Sequence, residues 1–557
     1  MKSFKNLKYA FLLIGMASFI ACENYLEEEF FSDVTAETFI GEDNADQLIV
    51  GIYEDLRDIY KEYDINLSGT DIYTVQTQVE EFNSFNDYFG LSSDNENTVE
   101  YWKVNYNLIA DANIAVNRYQ NDISWSDANL GARDYGIAQA RALRALAFYN
   151  LVQHYGGVVL ELEETTSIRA DYARSSEEET FGQIISDLEA AIPNLLDAPQ
   201  TGRFSRRAAQ HLLADVYLTR GYKSYGDATD FDTAASLAEQ AIGSYDLRSQ
   251  TFEELFDYDN QVNDEVLFAV QYGPGGNDND RSNSKHGLLM NAIENYAGIG
   301  RNSIYGANSS RSGLMPTPYF YGLFAANDTR DDVTLHRALF AAEEVTFSSG
   351  EGQPEDPIAV GDTVIYYPKM TLDATELADR LNRYWVYQPD QYLFGVPDNV
   401  PGAVYQYSSN INRINFPIFK KFDDIGIDGA GNGSRDTYVF RIAETHLIAA
   451  EAYLAVGNGT SGLQHLNIVR ERATGEASFY TQLTLDNLLD ERAIELAGEE
   501  NRWAVLKRMG RLEERLNLYN PQNADHGAFD SSIHLLRPIP ANELLLSDGS
   551  LEQNPGY

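Results

Sequence analysis

A short pattern recurs at distant points of the chain and limits what it can fold into. Ala214-Asp-Val-Tyr217-Leu218-Thr-Arg-Gly221 and Ala450-Glu-Ala-Tyr453-Leu454-Ala-Val-Gly457 share the spacing Ala-x-x-Tyr-Leu-x-x-Gly, and Ala145-Leu-Ala-Phe148-Tyr149 repeats its first half. Alanine lets two helices approach, tyrosine fills the gap beside it, and glycine ends the helix. A further helical segment follows each full copy, Asp232 to Gly243 after the first and Ser461 to Ala473 after the second. The unit is therefore a helix hairpin, and hairpins of this kind stack in the manner of tetratricopeptide repeats.

Two other segments carry strong helical periodicity. Positions 102, 106, 109, 113 and 116 recur on one face from Trp102 to Val116, and a helix over Ala138 to Tyr155 stops at Gly156-Gly157, before the apolar Val158-Val159-Leu160. Residues 260–435, rich in Gly, Asn, Asp, Pro and Tyr, lack that periodicity and predict loops with short strands, whereas 438–515 return to helix. The expected fold is mainly α, a helix-pair scaffold carrying an irregular second region.

The first residues describe an address. Lys2, Lys5 and Lys8 precede an apolar stretch from Tyr9 to Ile20, and Phe19-Ile20-Ala21 leads into Cys22, the only cysteine. The apolar run is too short to span a bilayer and fits an export signal over 1–21, with a lipobox whose mature chain starts at lipidated Cys22. Acyl chains bring about 0.8 kcal/mol per buried methylene. Glu23, Glu27, Glu28 and Glu29 form an acidic tether behind the anchor. A cytosolic chain with a buried free cysteine would leave this leader without a cause.

Without the leader, 38 basic residues face 85 acidic ones, a formal charge of -47. Such a field repels phosphate and excludes nucleic acid as an expected partner; it also suits a soluble, solvated surface. Tyrosine is abundant, 36 residues against 27 phenylalanines, and much of it lies in the Gly- and Asn-rich stretches where flat amphipathic rings suit sugar or peptide ligands.

The C-terminal third carries the most specific pattern: Tyr438-Val-Phe-Arg441-Ile-Ala-Glu444-Thr-His-Leu447, Leu466-Asn467-Ile-Val-Arg470-Glu-Arg472-Ala473, Glu491-Arg492 through Arg502, Leu536-Arg-Pro538-Ile-Pro540, and the ending Gln553-Asn554-Pro555-Gly556-Tyr557. With the lipobox, the Trp102–Asn113 segment and the helix entering Gly156-Gly157, it resembles the SusD/RagB family of nutrient-binding lipoproteins over nearly the whole mature chain. The resemblance implies a SusD-like helical region over 22–255 and a RagB/SusD region over 256–557. It also implies a surface-exposed, outer-membrane lipoprotein that captures oligosaccharide, acts as a lid on a SusC-like TonB-dependent channel, and needs no cofactor. A peptide-binding lid of the same fold, a helical-repeat scaffold without small ligand, and a surface glycosidase are the competing functions.

In that family an aromatic residue and a polar partner near Trp102 and Asn105 help form the sugar platform, although Trp102 also opens an apolar stripe and suits the core equally well. Tyr296, Tyr305, Tyr319 and Tyr321 mark the loop neighbourhood expected to complete the binding surface. Trp385 and Tyr387 alternate across an apparent strand and are expected to pack.

No catalytic constellation emerges. Glu491, Glu495 and Glu499 fall on one helix face, but Arg492 and Arg502 beside them point to an ion-paired helix surface. The eight histidines form no zinc motif, Gly429-Ala-Gly431-Asn-Gly433 lacks the Lys and Ser/Thr of a phosphate loop, and Asp278-Asn279-Asp280 lacks the glycine and terminal Glu of a calcium loop. The chain is expected not to be an enzyme, and none of its residues is assigned to a metal.

Overall fold

The computed structural model describes residues 41–61, 64–75, 84–167, 169–198, 200–272, 283–289, 298–299, 305, 314–345, 357–392, 416–425 and 433–557. Cys22, Tyr296, the Asp278–Asp280 stretch and most of the Gly429–Gly433 loop lie outside them.

Six helices build the first half of the scaffold: α1 (Asp46–Tyr60), α2 (Glu96–Asn121), α3 (Leu130–Tyr155), α4 (Glu177–Ala191), α5 (Arg206–Gly221) and α6 (Asp230–Ile242). Each packs on the next. The Trp102 stripe lies within α2, whose start is set by Asn95 accepting a hydrogen bond from the Thr98 N–H. Helix α3 begins eight residues before the segment read from periodicity, and Gly156 stops it at φ 75°. A Cβ on Gly157 would stand 2.1 Å from the Ser175 carbonyl oxygen, so the chain can turn there only through glycine. Beyond the turn, residues 158–161 run back along α2; the Val158 carbonyl accepts from the Ser175 N–H at 2.9 Å, and α2 side chains satisfy the residues after it. Tyr106 Oη donates to the Val159 carbonyl and accepts from its N–H, both at 3.0 Å, and Asn113 Nδ2 donates to Glu161 O at 3.0 Å.

Three short pairings serve the second region. Strands β1 (Tyr73–Val75) and β3 (Leu314–Pro316) pair antiparallel, as do β2 (Val266–Val270) and β7 (Thr437–Arg441). Strands β4 (Ala338–Phe340), β5 (Thr363–Tyr366) and β6 (Trp385–Val386) form one mixed sheet. Between them lie the short helices α7 (Pro318–Gly322), α8 (Arg330–Thr334) and α9 (Ala374–Leu381). The β4–β5–β6 lobe has an apolar cluster of its own, including Ile299, Met315, Leu339, Val364, Ile365 and Ile418.

Helix returns with α10 (Ile442–Ala455), α11 (Gly459–Thr474), α12 (Leu485–Glu495), α13 (Arg502–Arg508) and α14 (Leu512–Tyr519). The two copies of the repeated pattern are the first helices of the α5–α6 and α10–α11 hairpins. They meet: Ala214 and Leu218 of α5, Ala234, Ala235 and Ala238 of α6, and Ile448, Ala449 and Ala452 of α10 form one buried cluster. Even the tyrosines match. Tyr217 Oη donates to Glu189 at 2.8 Å on α4, which precedes its hairpin, and Tyr453 Oη donates to Glu239 on α6, the second helix of the other hairpin. The protein is mainly α, with a tetratricopeptide-like scaffold.

Candidate functional site

The proposed ligand neighbourhood starts at β1, β3 and α7. Thr317 anchors it, its N–H donating to Ile72 O at 3.0 Å and its hydroxyl to Asp71 O at 2.7 Å. Residues two apart on a helical turn point about 200° from each other, so Tyr319 and Tyr321 leave α7 in different directions. Tyr321 enters the lobe, where its hydroxyl donates to Pro417 O at 2.8 Å and its ring meets Tyr392 edge-on at 5.2 Å. Tyr319 faces α14 and stacks on Tyr519, the ring centroids 3.7 Å apart and the planes 15° from parallel.

The stacked pair is half-buried and has polar groups at its foot. Tyr319 Oη donates to Asp490, whose side chain keeps 30% of its surface exposed. Arg515 Nη2 donates to the same carboxylate at 2.6 Å and to Tyr319 Oη at 3.0 Å. Its Nη1 donates to Asp71 at 3.0 Å, and Arg502 holds Asp71 bidentately at 2.9 and 2.7 Å. Burial pushes the Asp490 carboxyl above the usual range although Tyr319 and Arg515 oppose it, and burial likewise pushes the Tyr319 hydroxyl well up. A rigid aromatic wall thus stands beside a partly exposed hydrogen-bond acceptor.

A second half-exposed aromatic surface lies on β5, β6 and α9. Tyr366 and Tyr384 meet edge-on at 6.2 Å, Arg380 lies 4.6 Å over the Tyr366 ring, and its Nη1 donates to Tyr384 Oη at 3.1 Å. Trp385 beside them is half-buried, and Tyr387 lies near-parallel to Tyr367. Sequence reasoning singled out neither Tyr519 nor the Tyr366–Tyr384 pair. Arg380 four residues before Tyr384 was the available signal.

The other sequence candidates are interior. Trp102 is 3% exposed, wedged edge-on against Tyr155 at 5.0 Å and against Tyr106 at 4.8 Å. Asn105 is fully buried, donating to Tyr101 O at 2.7 Å and accepting from Asn150 at 3.1 Å. Of the two roles the sequence left open, the geometry gives Trp102 the core one, and no ring face or amide is left over for a ligand. Tyr305 is 3% exposed, accepting from the Phe340 N–H inside the lobe. The structure therefore brings Tyr305 and Tyr321 into one apolar cluster, sets Tyr319 against the main core instead, and places Trp102 and Asn105 in the scaffold.

The carboxylates Glu491, Glu495 and Glu499 are not on a helix surface. They are buried in a network of five carboxylates (Glu265, Asp328, Glu491, Glu495, Glu499) and five cations (Arg330, Lys421, Arg441, Arg470, Arg472). Arg330 donates to Asp328, to Glu491 at 2.7 Å and to Glu495 at 2.9 Å, while Arg441 joins Glu265, Glu495 and Glu499. Arg502, expected beside Glu499, turns to Asp71. Burial alone would raise the Glu495 carboxyl, but Arg472, Arg441 and Arg330 outweigh it and hold it well below the usual range. A general acid must keep its proton near neutral pH, and this carboxylate does the opposite. Among the described residues no group of three or more His, Cys, Asp or Glu could hold a metal ion.

Residues 264–557 match the model of the SusD family, and residues 24–218 match a second model described as starch-binding associating with outer membrane. The chain belongs to the SusD family. A SusD-like protein of Bacteroides ovatus is 26% identical over 451 residues, covering 78% of this chain and 70% of the relative. SusD-like protein P2 of Formosa agariphila is 26% identical over 495 residues, covering 84% and 82%. Among solved structures, a laminarin-binding SusD-like protein superposes with a TM-score of 0.68 at 23% identity, covering 93% of this chain and all of that one. Within this SusD family member, the Tyr438–Arg441 pattern is β7 and Glu491–Arg502 spans α12 and the buried network. Among the described residues no helix is long and apolar enough to cross a membrane.

Proposed function

We propose that this SusD family member is a cell-surface glycan-binding lipoprotein, held on the outer membrane through Cys22, that passes oligosaccharide to a TonB-dependent channel. Membership of the family supports the reading, together with the starch-binding description of its N-terminal match and the laminarin ligand of a structural neighbour. The observation that carries it is the half-exposed Tyr319–Tyr519 stack above Asp490. Sugar rings stack their C–H faces on aromatic rings while carboxylates and hydroxyls take up their O–H groups. Tyr366 and Tyr384 extend the aromatic surface on the lobe.

The reading is tested with the soluble chain from Glu23 onward in native gels containing laminarin, starch and other polysaccharides. Retardation by one glycan class is expected, with Tyr519→Ala weakening it about tenfold, equivalent to about 1.4 kcal/mol. A folded protein that no polysaccharide retards would refute glycan capture. Cys22→Ser in the full chain should release the protein from membranes, and the lipidated form should co-purify with its channel.

A further inference from the structure

Among the described residues the sheet of β2 and β7 has two strands, so β2 keeps an outer edge. A groove runs along it in two adjoining chambers of about 320 and 240 Å³ that share Thr201, Gly202, Arg203, Ala269 and Gln271. The larger chamber is lined by Val266, Leu267, Phe268 and Ala269 in unbroken succession. The register against β7 shifts between Val266 and Phe268 and again between Phe268 and Ala269, so the strand does not alternate regularly here and backbone and side chains of all four residues can reach the groove. Along that edge the Val266 N–H donates to Asn263 O at 3.2 Å, Ser205 Oγ donates to Leu267 O at a long 3.5 Å, and past the strand end Arg57 Nε donates to Gln271 O at 2.9 Å. Among the described residues no other strand pairs with it. Gly202 lies on the facing wall at φ +82°, a backbone conformation that favours glycine, with the Gln271 side chain beside it.

The lining suits a peptide better than a sugar. No exposed ring face borders the groove, since Phe268 is 2% exposed and the half-buried Tyr53 is engaged through its hydroxyl with Gln139 and the Phe204 N–H. Side-chain charge favours a cation. Arg203 is paired with Asp46 at 2.7 Å, Arg207 donates to the Ala241 and Ile242 carbonyls that end α6, and Asp197 is paired with Arg206. Asp264 is exposed at the rim, within electrostatic range of Arg207, and the formal charge of the whole chain is -44.

We propose that the groove binds a short extended peptide, which adds a third strand against the outer edge of β2 and sets a basic side chain against Asp264. Main-chain hydrogen bonds supply the affinity of such strand addition, and side chains at alternate positions supply its preference. This binding is independent of the glycan surface.

The test uses fluorescence anisotropy with a labelled octapeptide of alternating Lys and Val, two versions of it N-methylated at every second amide in one register or the other, and a Glu-Val counterpart. The Lys-Val peptide is expected to bind, N-methylation of the edge-facing amides to weaken it at least tenfold, and Asp264→Lys, an exposed change, to weaken it severalfold while improving the Glu-Val peptide. Amide hydrogen exchange should slow along 266–269 when peptide is present. No binding, or equal binding of both N-methyl registers and the parent, would overturn strand addition; equal affinity of Lys-Val peptide for the native chain and Asp264→Lys would overturn the role of Asp264.

Discussion

The helical scaffold and the β4–β5–β6 lobe each have an apolar core, but the scaffold's is made by close helix packing and the lobe's is closed by loops that tyrosines tie down. In the scaffold, alanines at the α5–α6–α10 contact let helix axes approach, and apolar area does most of the stabilising, at about 25 cal/mol per Å². In the lobe, tyrosine hydroxyls reach distant carbonyls, as Tyr321 does to Pro417 and Tyr392 does to Pro368 at 2.6 Å. The seam between them is ionic: Asp328, Arg330 and Lys421 come from the stretch between β3 and β7, whereas Glu265 directly precedes β2 and Arg441, Arg470, Arg472, Glu491 and Glu495 come from β7 and the helices after it. Geometry at such a seam is specified by direction and charge, which hydrophobic contact alone does not provide. A region assembled from loops can then hold aromatic rings at fixed positions on a helix-pair base that needs no change of its own.

The comparison breaks most easily at the seam. Arg330→Met leaves Asp328, Glu491 and Glu495 short of a partner in the interior, and a loss of about 3–5 kcal/mol is expected. Denaturant melts followed by near-UV and far-UV circular dichroism should show the lobe signal failing before the helical one; a single coincident transition would make the seam part of the scaffold. Acid should act on the same place. Glu495 has its folded pKa depressed, so its contribution is fully present above the unfolded value of about 4.3 and is lost as pH falls toward the folded value. Thermal melts below about pH 4 should therefore lose stability faster for the native chain than for Glu495→Gln.

Within the scaffold, Ala238→Leu overfills the cluster between the two hairpins and should cost about 1–3 kcal/mol in chemical denaturation. Tyr321→Phe removes one hydrogen bond to Pro417 and should cost about 1 kcal/mol, felt in the lobe. The smallest effects sharpen the repeat: Tyr217→Phe and Tyr453→Phe remove partly exposed contacts to Glu189 and Glu239, and each should cost about 0.5 kcal/mol. Clearly unequal losses would show that the two hairpins resemble each other in sequence more than in energetics.

Much of the fold was legible because its signals are local. The Ala-x-x-Tyr-Leu-x-x-Gly copies, the glycine stop after Tyr155 and the Trp102 stripe each specify a helix or its end within a few residues. The site was less legible. Trp102 had the residue type of a platform and the periodicity of a core, and only the arrival of Tyr155 from α3 decided for the core. Tyr319 was singled out without Tyr519, its partner 200 residues further on, and the stack exists only because α14 packs beside α7. The three glutamates looked like a surface face because their cations lie far away in the chain, on β7, α8 and α11.

By itself, then, the amino-acid order determined a mainly helical scaffold of stacked hairpins and a loop-rich insert, since periodicity, small residues and glycine stops act over one or two turns. Which tyrosines remain partly exposed, which carboxylates become buried ion partners, and that β2 is left with an open edge were decided only in three dimensions. Burial and pairing are properties of groups brought together from distant parts of the chain, and no local pattern encodes a neighbour that another segment has yet to supply.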